Sequence, residues 1–565
     1  MFEKKSKKTN SFLNLFLLII SALFFSFSHP NAIINNGFFL TGFLIYLPVL
    51  CLVHNNSIKK VWLLGGIYGL ISYGLYAFWL VKFNPFGLFL ACAGYFFILA
   101  IVFLFLKLID ILFKKNAWLV QTLFLSVYEY IKTLGFLGFS YGVSAYTQWY
   151  NTLFIQICDV IGVFGLNFFI IFPSAWIYSF FEKGHERKII LNSVNIDYSK
   201  NNSNLSEYVK REKVIKNTER KSMLIFAFLW IITVLFFYIY GYHDIKSKKV
   251  YKTVKVAAIQ NNENPWKNGI DEYAKNIQDL KDLTNEALEI SSDIDFVVWS
   301  ETSVVPSILY QYYGLIDSRR FNLVYSLLNY IENKDAVFVI GNSDEEIDEE
   351  NKTKKRFNSV HVYLPSENVI PPDPDVYSKI HLVPLSEYFP YKKYFPHLYK
   401  LLFKGENHLW EKGSEYKVFD YKGLKFSTPV CFEDTFGNDC RKFVQNGARC
   451  FFNLSNDGWS KSSACQYQHL SMSVFRSVEN RVPTVRSTAT GETCIINQNG
   501  QITAIAPDFC KSYVVGNVDI LDSDFNPSFY TLHGDLFGQL QVLLLLIILI
   551  IQILNVIIKS IKTKK

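Results

Sequence analysis

Three short apolar runs end on side chains that together could carry acyl chemistry. Phe296-Val297-Val298-Trp299-Ser300-Glu301 stops at a carboxylate, Tyr377-Ser378-Lys379-Ile380-His381-Leu382-Val383-Pro384 carries an ammonium, and Pro429-Val430-Cys431-Phe432-Glu433 contains a thiol. A thiol becomes a strong nucleophile once a neighbouring base takes its proton, and a cation stabilises the oxyanion that forms; the set suits acyl transfer through a thioester. A cysteine on a tight turn after a strand also leaves the next backbone N–H, that of Phe432, aimed at the developing oxyanion. Taken singly, each residue has a plainer reading: Cys431 as a core residue, Glu301 as a strand-end carboxylate bonded to backbone or arginine, Lys379 as a surface lysine. Neither spacing nor composition proves that the three meet.

The segments around them alternate strand and helix. Val254–Gln260, Phe296–Trp299, Ala336–Gly341, Asn358–Tyr363, Lys425–Cys431, Cys450–Leu454, 482–487, 492–497 and 502–505 read as strands. Residues 270–290, with Ile277, Leu280, Leu283, Leu288 and Ile290 at helical spacing, read as a helix, as do 318–333, 437–447 and 465–480. Such alternation predicts a layered α/β domain. The acidic-then-basic stretch Asp344–Arg356 reads as a surface loop without direct chemistry.

Outside this region the chain reads as membrane. Apolar stretches near the ~20-residue spanning length occur at 12–28, 37–53, 61–82, 87–110, 117–136, 155–181, 223–242 and 538–558, the fifth interrupted by Gln121, Glu129 and Lys132. The first has basic residues ahead of it but no convincing cleavage site, and is read as a retained anchor. Basic residues cluster at Lys4, Lys5, Lys7, Lys8, at Lys59 and Lys60, at Lys114 and Lys115, across the polar loop 183–222, and at Lys559, Lys562, Lys564 and Lys565, whereas 29–36 and 137–154 have none. Alternate loops are thus basic, the positive-inside pattern. It predicts both termini in the cytoplasm, eight spans, and a soluble domain outside, after seven of them. The expected division is 1–245 (membrane domain, seven helices), 246–532 (extracytoplasmic catalytic domain) and 533–565 (last helix and basic tail). Loop 183–222 is expected to be disordered or only locally helical, a topological tether. Glu129 and Asp159, costly in lipid, are expected to pair between helices or to line a lipid-head access path.

The 565 residues suffice for roughly two or three domains at about 150 residues each. The net charge of +8 sits at membrane flanks and in one loop, which argues against nucleic acid. Nine cysteines form no close-spaced framework; Cys51, Cys92 and Cys158 fall in apolar spans and the other six in the soluble region. His381 and His469 lie in no ligand cluster and read as structural, so neither a metal nor a cofactor is expected.

Longer phrases extend the triad. VVWSET around Glu301, YSKIHLVPLSEYFP around Lys379, CFEDTF around Cys431, FFNLSNDGW at 451–459 and QYQHLSMSVFRSVENRVPTVRST at 466–488 resemble the nitrilase superfamily, with its Glu–Lys–Cys triad in this order, and in particular its membrane-embedded branch, the apolipoprotein N-acyltransferases. The resemblance covers almost the whole length. It implies a nitrilase-like αββα sandwich attached to a polytopic helical domain of about eight spans in the bacterial inner membrane, with the catalytic domain periplasmic. It also implies the reaction. Glu301 accepts the thiol proton, Cys431 attacks an acyl ester of a phospholipid (the sn-1 chain of phosphatidylethanolamine), and Lys379 with the Phe432 N–H holds the oxyanion. The amine of a diacylglyceryl-cysteine apolipoprotein then takes the chain, in a monomeric enzyme.

By the same resemblance Glu387 and Glu433 match family acids, Asn358 a family asparagine beside the site, and Trp266 a tryptophan near the substrate entrance, although the spacing before Trp266 is compressed. Ser300, Ser386 and Phe432 depart from the common Pro, Gly and Tyr, which bears on loop geometry and substrate preference more than on reaction type. Two other classes are weighed: a membrane-tethered amidase using the same triad with water as acceptor, and a scaffold or transporter with a degenerate outer domain. The intact triad argues against the latter.

Overall fold

A computed structural model describes residues 11–135, 138–197, 205–315, 317–348, 353–389, 391, 393–403, 409–521 and 526–564; the side chains of 181–220, 348, 353, 398, 401–403 and 564 are not described. Lys4, Lys5, Lys7, Lys8, Lys565 and part of loop 183–222 lie outside the described residues.

Helices occupy every stretch expected to be apolar and spanning. Five helical stretches are long and apolar enough to cross a bilayer: Ser11–Ser28, Pro85–Ile131, Cys158–Phe180, Lys221–Ser247 and Leu536–Thr563. The second holds two helices, Pro85–Phe113 and Ala117–Ile131, joined by a tight turn at Lys114–Asn116. The helices Leu47–Asn55 and Ile58–Tyr76 are shorter or richer in glycine and charge. Of those glycines, Gly65 and Gly69 let Ile58–Tyr76 press against Pro85–Phe113: a Cβ on Gly69 would stand 2.3 Å from the Tyr95 carbonyl oxygen. Loop 183–222 is not simply irregular, because the helices Cys158–Asp197 and Leu205–Ser247 run into it from both sides.

Glu129 and Asp159 are both buried and paired. Glu129 accepts hydrogen bonds from the Ser144 N–H (2.7 Å) and hydroxyl (2.6 Å) and from the Tyr46 hydroxyl, with Lys132 at 3.9 Å. These contacts fasten the irregular segment 138–149 into the bundle. Asp159 meets Arg481 and the Tyr240 hydroxyl, at the junction of helix and soluble domain.

The soluble part contains twelve described strands: β1 Val250–Gln260, β2 Phe296–Val298, β3 Val337–Asp348, β4 Thr353–Tyr363, β5 Asp375–Ser378, β6 Phe419–Tyr421, β7 Leu424–Phe426, β8 Phe451–Ser455, β9 Thr484–Thr488, β10 Cys494–Ile496, β11 Ile502–Ile505 and β12 Ser512–Leu521. One sheet has the order β12-β1-β2-β3-β4-β5, the other β11-β10-β9-β8. Strands β1, β2 and β3 run parallel, as do β8 and β9.

Alternation along β1 explains the layering. Val256 and Ala258 join Phe296, Val339, Phe426, Phe452 and Val485 between the sheets. Ala257 and Ile259 face the other way, onto Ile277, Leu280, Leu327 and Leu328 of the helices Ile270–Ile290 and Ser318–Glu332. On the far side of the second sheet lies the helix Ser463–Asn480, whose Leu470, Val474, Phe475 and Val478 share one core with the membrane helices. The result is an αββα sandwich with the apolar bundle stacked on one outer helix layer.

One expectation needs correction. Asp344–Arg356 is not a loop but the outer end of the β3–β4 hairpin, with Glu345 opposite Arg356 and Asp348 opposite Thr353; residues 349–352 are outside the described set. Its charges form cross-strand pairs, Glu345 with Arg356 at 3.1 Å and with Lys354 at 2.5 Å. The strand read over Lys425–Cys431 also ends early, at Phe426; Ser427 and Val430 make single bridges to Phe451 and Leu454. Strands β5, β6 and β12 and the short helices Ile308–Gly314, Pro396–Phe403 and Phe529–His533 were not read from the sequence.

Candidate active site

The carboxyl ends of β2, β5 and the β7 extension converge, the place where open α/β sheets hold their ligands. Glu301 follows β2 by three residues. Lys379 follows β5 directly, with its N–H donated to the Asn358 carbonyl of β4 at 2.9 Å. Cys431 opens a single 3₁₀ turn, Cys431–Thr435, beside β8. Its φ of +48° is in the left-handed region, which costs a non-glycine residue about 1–3 kcal/mol and turns the side chain out of the strand.

The three side chains do meet. Lys379 Nζ, fully buried, donates to Glu301 Oε1 at 3.3 Å and to Glu387 Oε1 at 2.8 Å. The half-buried Cys431 thiol lies within electrostatic reach of both Glu301 and Lys379. Asn358 Nδ2 donates to Glu301 Oε1 at 2.7 Å, and the Asn456 N–H to Glu301 Oε2 at 2.9 Å.

Burial pushes the Cys431 thiol up, reinforced by the Glu301 charge and opposed by Lys379. It also raises the Glu301 carboxyl, against the pull of Lys379. Burial alone would lower the Lys379 ammonium, but Glu387 and Glu301 outweigh it and hold it above its ordinary value. Burial thus favours the protonated thiol, beside a carboxyl made more basic than usual.

Glu387 and Glu433 act on the backbone as well. Glu387 Oε2 accepts from the Val383 N–H at 2.7 Å. Glu433 is buried and accepts from the Val430 N–H (2.7 Å), the Ile380 and His381 N–H groups (2.8 and 2.9 Å) and the Tyr377 hydroxyl (2.9 Å). One carboxyl thus ties the turn bearing Cys431 to the segment bearing Lys379. Phe432 packs edge-on against Phe436, with ring centroids 4.9 Å apart.

Trp266 is 53% exposed and lies 5.9 Å from Phe83 of the membrane part. Phe83 and Trp79 contact Trp459 at 4.9 and 5.5 Å. An aromatic rim thus joins the two parts beside the site.

His381 stacks on Phe436 at 3.8 Å and meets Asp439 at 3.1 Å. His469 bridges Asp457 (2.8 Å) and Asp434 (2.7 Å), and Arg486 contacts both acids, in a fully buried network beneath Cys431 that sequence reading missed. Asn456 was also missed as a site residue, although it lies inside the FFNLSNDGW phrase. Among the described residues no group of three or more His, Cys, Asp or Glu could hold a metal ion. The six cysteines of the soluble part are free thiols.

Carboxylate, ammonium and thiol on this sandwich define a carbon–nitrogen hydrolase-type domain, and residues 255–523 match the carbon-nitrogen hydrolase family. Residues 21–176 match the apolipoprotein N-acyltransferase N-terminal domain. The chain is 36% identical to apolipoprotein N-acyltransferase 1 of Treponema denticola, over 98% of both chains, and 36% identical to that of Treponema pallidum, over 90% of both. It is 28% identical to apolipoprotein N-acyltransferase of Borreliella burgdorferi, over 94% of both. The chain belongs to the apolipoprotein N-acyltransferase family.

Proposed function

We propose that this enzyme moves a fatty acyl chain from a phospholipid, through a thioester on Cys431, to the N-terminal amine of diacylglyceryl-cysteine in apolipoproteins, the last step of lipoprotein maturation. The observation that carries the reading is the Cys431–Glu301–Lys379 convergence in a chain of this family, beside helices apolar enough for a bilayer. A membrane-tethered amidase would use the same three groups but is not favoured by relatives that are acyltransferases over their full length.

In the first half, Glu301 takes the thiol proton as sulfur attacks the ester carbonyl. The oxyanion is held by Lys379 and the Phe432 N–H, and the carbon–oxygen bond breaks. Glu301 returns the proton to the departing lysophospholipid oxygen. In the second half, the amine attacks the thioester, Glu301 takes a proton from nitrogen, and sulfur leaves as a thiol. The raised pKa of Glu301 suits it to both transfers. Glu387, Glu433 and Asn358 position the triad, and Trp266 lies on the substrate path.

The finer reading places eight helices across the bacterial inner membrane, both termini in the cytoplasm and the catalytic domain (246–532) in the periplasm, between membrane parts 1–245 and 533–565. The alternation of basic and uncharged loops supports it. The donor is read as phosphatidylethanolamine and the enzyme as a monomer. Mass spectrometry of the full-length protein incubated with phospholipid tests the reading. An acyl adduct on Cys431 that transfers to a diacylglyceryl-cysteinyl peptide is expected; release of free fatty acid alone sinks it.

A further inference from the structure

One carboxyl beside the triad has no part in the chemistry above. Glu263 lies in the segment after β1, three residues before Trp266, and is half-buried. Its Oε1 accepts from Asn456 Nδ2 at 3.1 Å, while the Asn456 N–H is bonded to Glu301 Oε2. One asparagine therefore spans the two carboxyl groups. Oε2 accepts long bonds, both 3.4 Å, from Asn261 and Asn276.

Among the described residues no cation pairs with Glu263. The charges it feels, from Glu301 and Glu272, are both negative, and burial is the larger influence, pushing its carboxyl up to about 7. Beside Glu263 one buried amide oxygen lacks a donor, Asn261 Oδ1, whose amide nitrogen is bonded to Glu263; beside Glu301 a second does, Asn358 Oδ1, whose nitrogen is bonded to Glu301. Unfilled acceptors beside Glu301 and a carboxyl that has no cation match a group that only donates. A phospholipid ester carbonyl only accepts; a primary ammonium has three donors.

We propose that Glu263 receives the α-ammonium of the acceptor and takes its proton before the amine attacks the thioester. This rests on the acyl-enzyme reading above and adds a step that it requires. An α-amine with an ordinary pKa near ~7.7–8.0 arrives mostly charged at neutral pH and cannot attack in that form. One proton passes from nitrogen to Glu263, leaving a neutral amine. Nitrogen then bonds the thioester carbon, Glu301 takes a second proton from nitrogen, and the carbon–sulfur bond breaks as that proton goes to sulfur. Glu263 releases its own proton to water, so the balance is one amide, one thiol and one proton from ammonium and thioester. Glu301 alone cannot hold both protons.

The test separates the halves of the reaction in full-length protein in detergent. With phospholipid alone, Glu263→Gln is expected to form the Cys431 adduct within about twofold of the parent rate. Aminolysis by a synthetic diacylglyceryl-cysteinyl peptide is expected to fall roughly five- to tenfold at pH 7, where an amine of pKa ~7.7–8.0 is only about a tenth to a sixth neutral, and the deficit to close at pH 9, where the amine is already neutral. With hydroxylamine, uncharged at pH 7, no deficit is expected. Equal losses in both halves, or a deficit that persists at pH 9 and with hydroxylamine, would mark Glu263 as a structural anchor and overturn the proposal. Parent protein that forms no adduct overturns the acyl-enzyme reading first, which distinguishes the two failures.

Discussion

Lys379 sits closer to Glu387, at 2.8 Å, than to Glu301, at 3.3 Å. The cation is thus held more closely by Glu387, and Glu301 keeps more of its basicity. Burial is the main cause that raises Glu301, and the Glu387 charge adds to it. Glu387→Gln should therefore drop the Glu301 pKa, moving the acid limb of adduct formation to lower pH while the plateau rate falls roughly tenfold for want of base strength. The pH profile of acyl-adduct formation checks this; an acid limb that stays or moves up contradicts it.

In the proposed mechanism Lys379 holds the oxyanion, and Lys379→Met removes that cation. One such donor is worth about 2.7–4 kcal/mol, so adduct formation should slow by about 10²–10³. The change also leaves the buried Glu301 and the part-buried Glu387 without their cation, which destabilises, so the melting temperature must be read alongside. A rate loss under tenfold in folded protein would rule out the role.

Gly341 on β3 is pressed against the base. A Cβ there would stand 2.3 Å from the Ser300 carbonyl oxygen, 2.6 Å from the Thr302 nitrogen and 2.8 Å from Glu301 Cα. Backbone must give way, and a displacement of about 1 Å can cost about 10²-fold in rate. Gly341→Ala should lose activity on that order with the fold retained by circular dichroism. Gly94→Ala, at a site with nothing within 4 Å, serves as the silent control.

His469 links stability to pH. Burial would depress its pKa, but Asp457 and Asp434 outweigh that and raise it to about 9, against an unfolded value of about 6.5. A raised folded pKa contributes stability that is fully present below the unfolded value and lost as pH climbs through the folded one. The melting temperature should decline between about pH 6.5 and 9, and the decline should flatten in His469→Gln. Parallel slopes in the two proteins would count against the charged imidazole.

Much of this was legible in the chain. The helix Ile270–Ile290 starts and stops where its leucine and isoleucine spacing says, and the triad residues were visible because each follows an apolar run. The Asp344–Arg356 hairpin was misread because its charges look like a loop in one dimension and become cross-strand partners only when folded. β5 is four residues long and begins with a charge, and β12 is a partly exposed edge strand; neither offers a long apolar signal. Glu263 and the His469 network were hidden for a different reason. Their meaning comes from distant partners, Asp434 at 35 residues from His469 and Asn456 at 193 from Glu263, a separation that local patterning does not report.

The helix Ser463–Asn480 buries all but Ser463 and Tyr467, and its hydrogen bonds run deep into the bundle: Gln468 to the carbonyls of Pro30 and Tyr76 and from Trp79, Glu479 from the Val163 N–H. Gln156 adds another, to the Asn499 carbonyl. Prising the two parts open would strand these buried donors and acceptors without partners, so the helical bundle and the sandwich behave as a single unit.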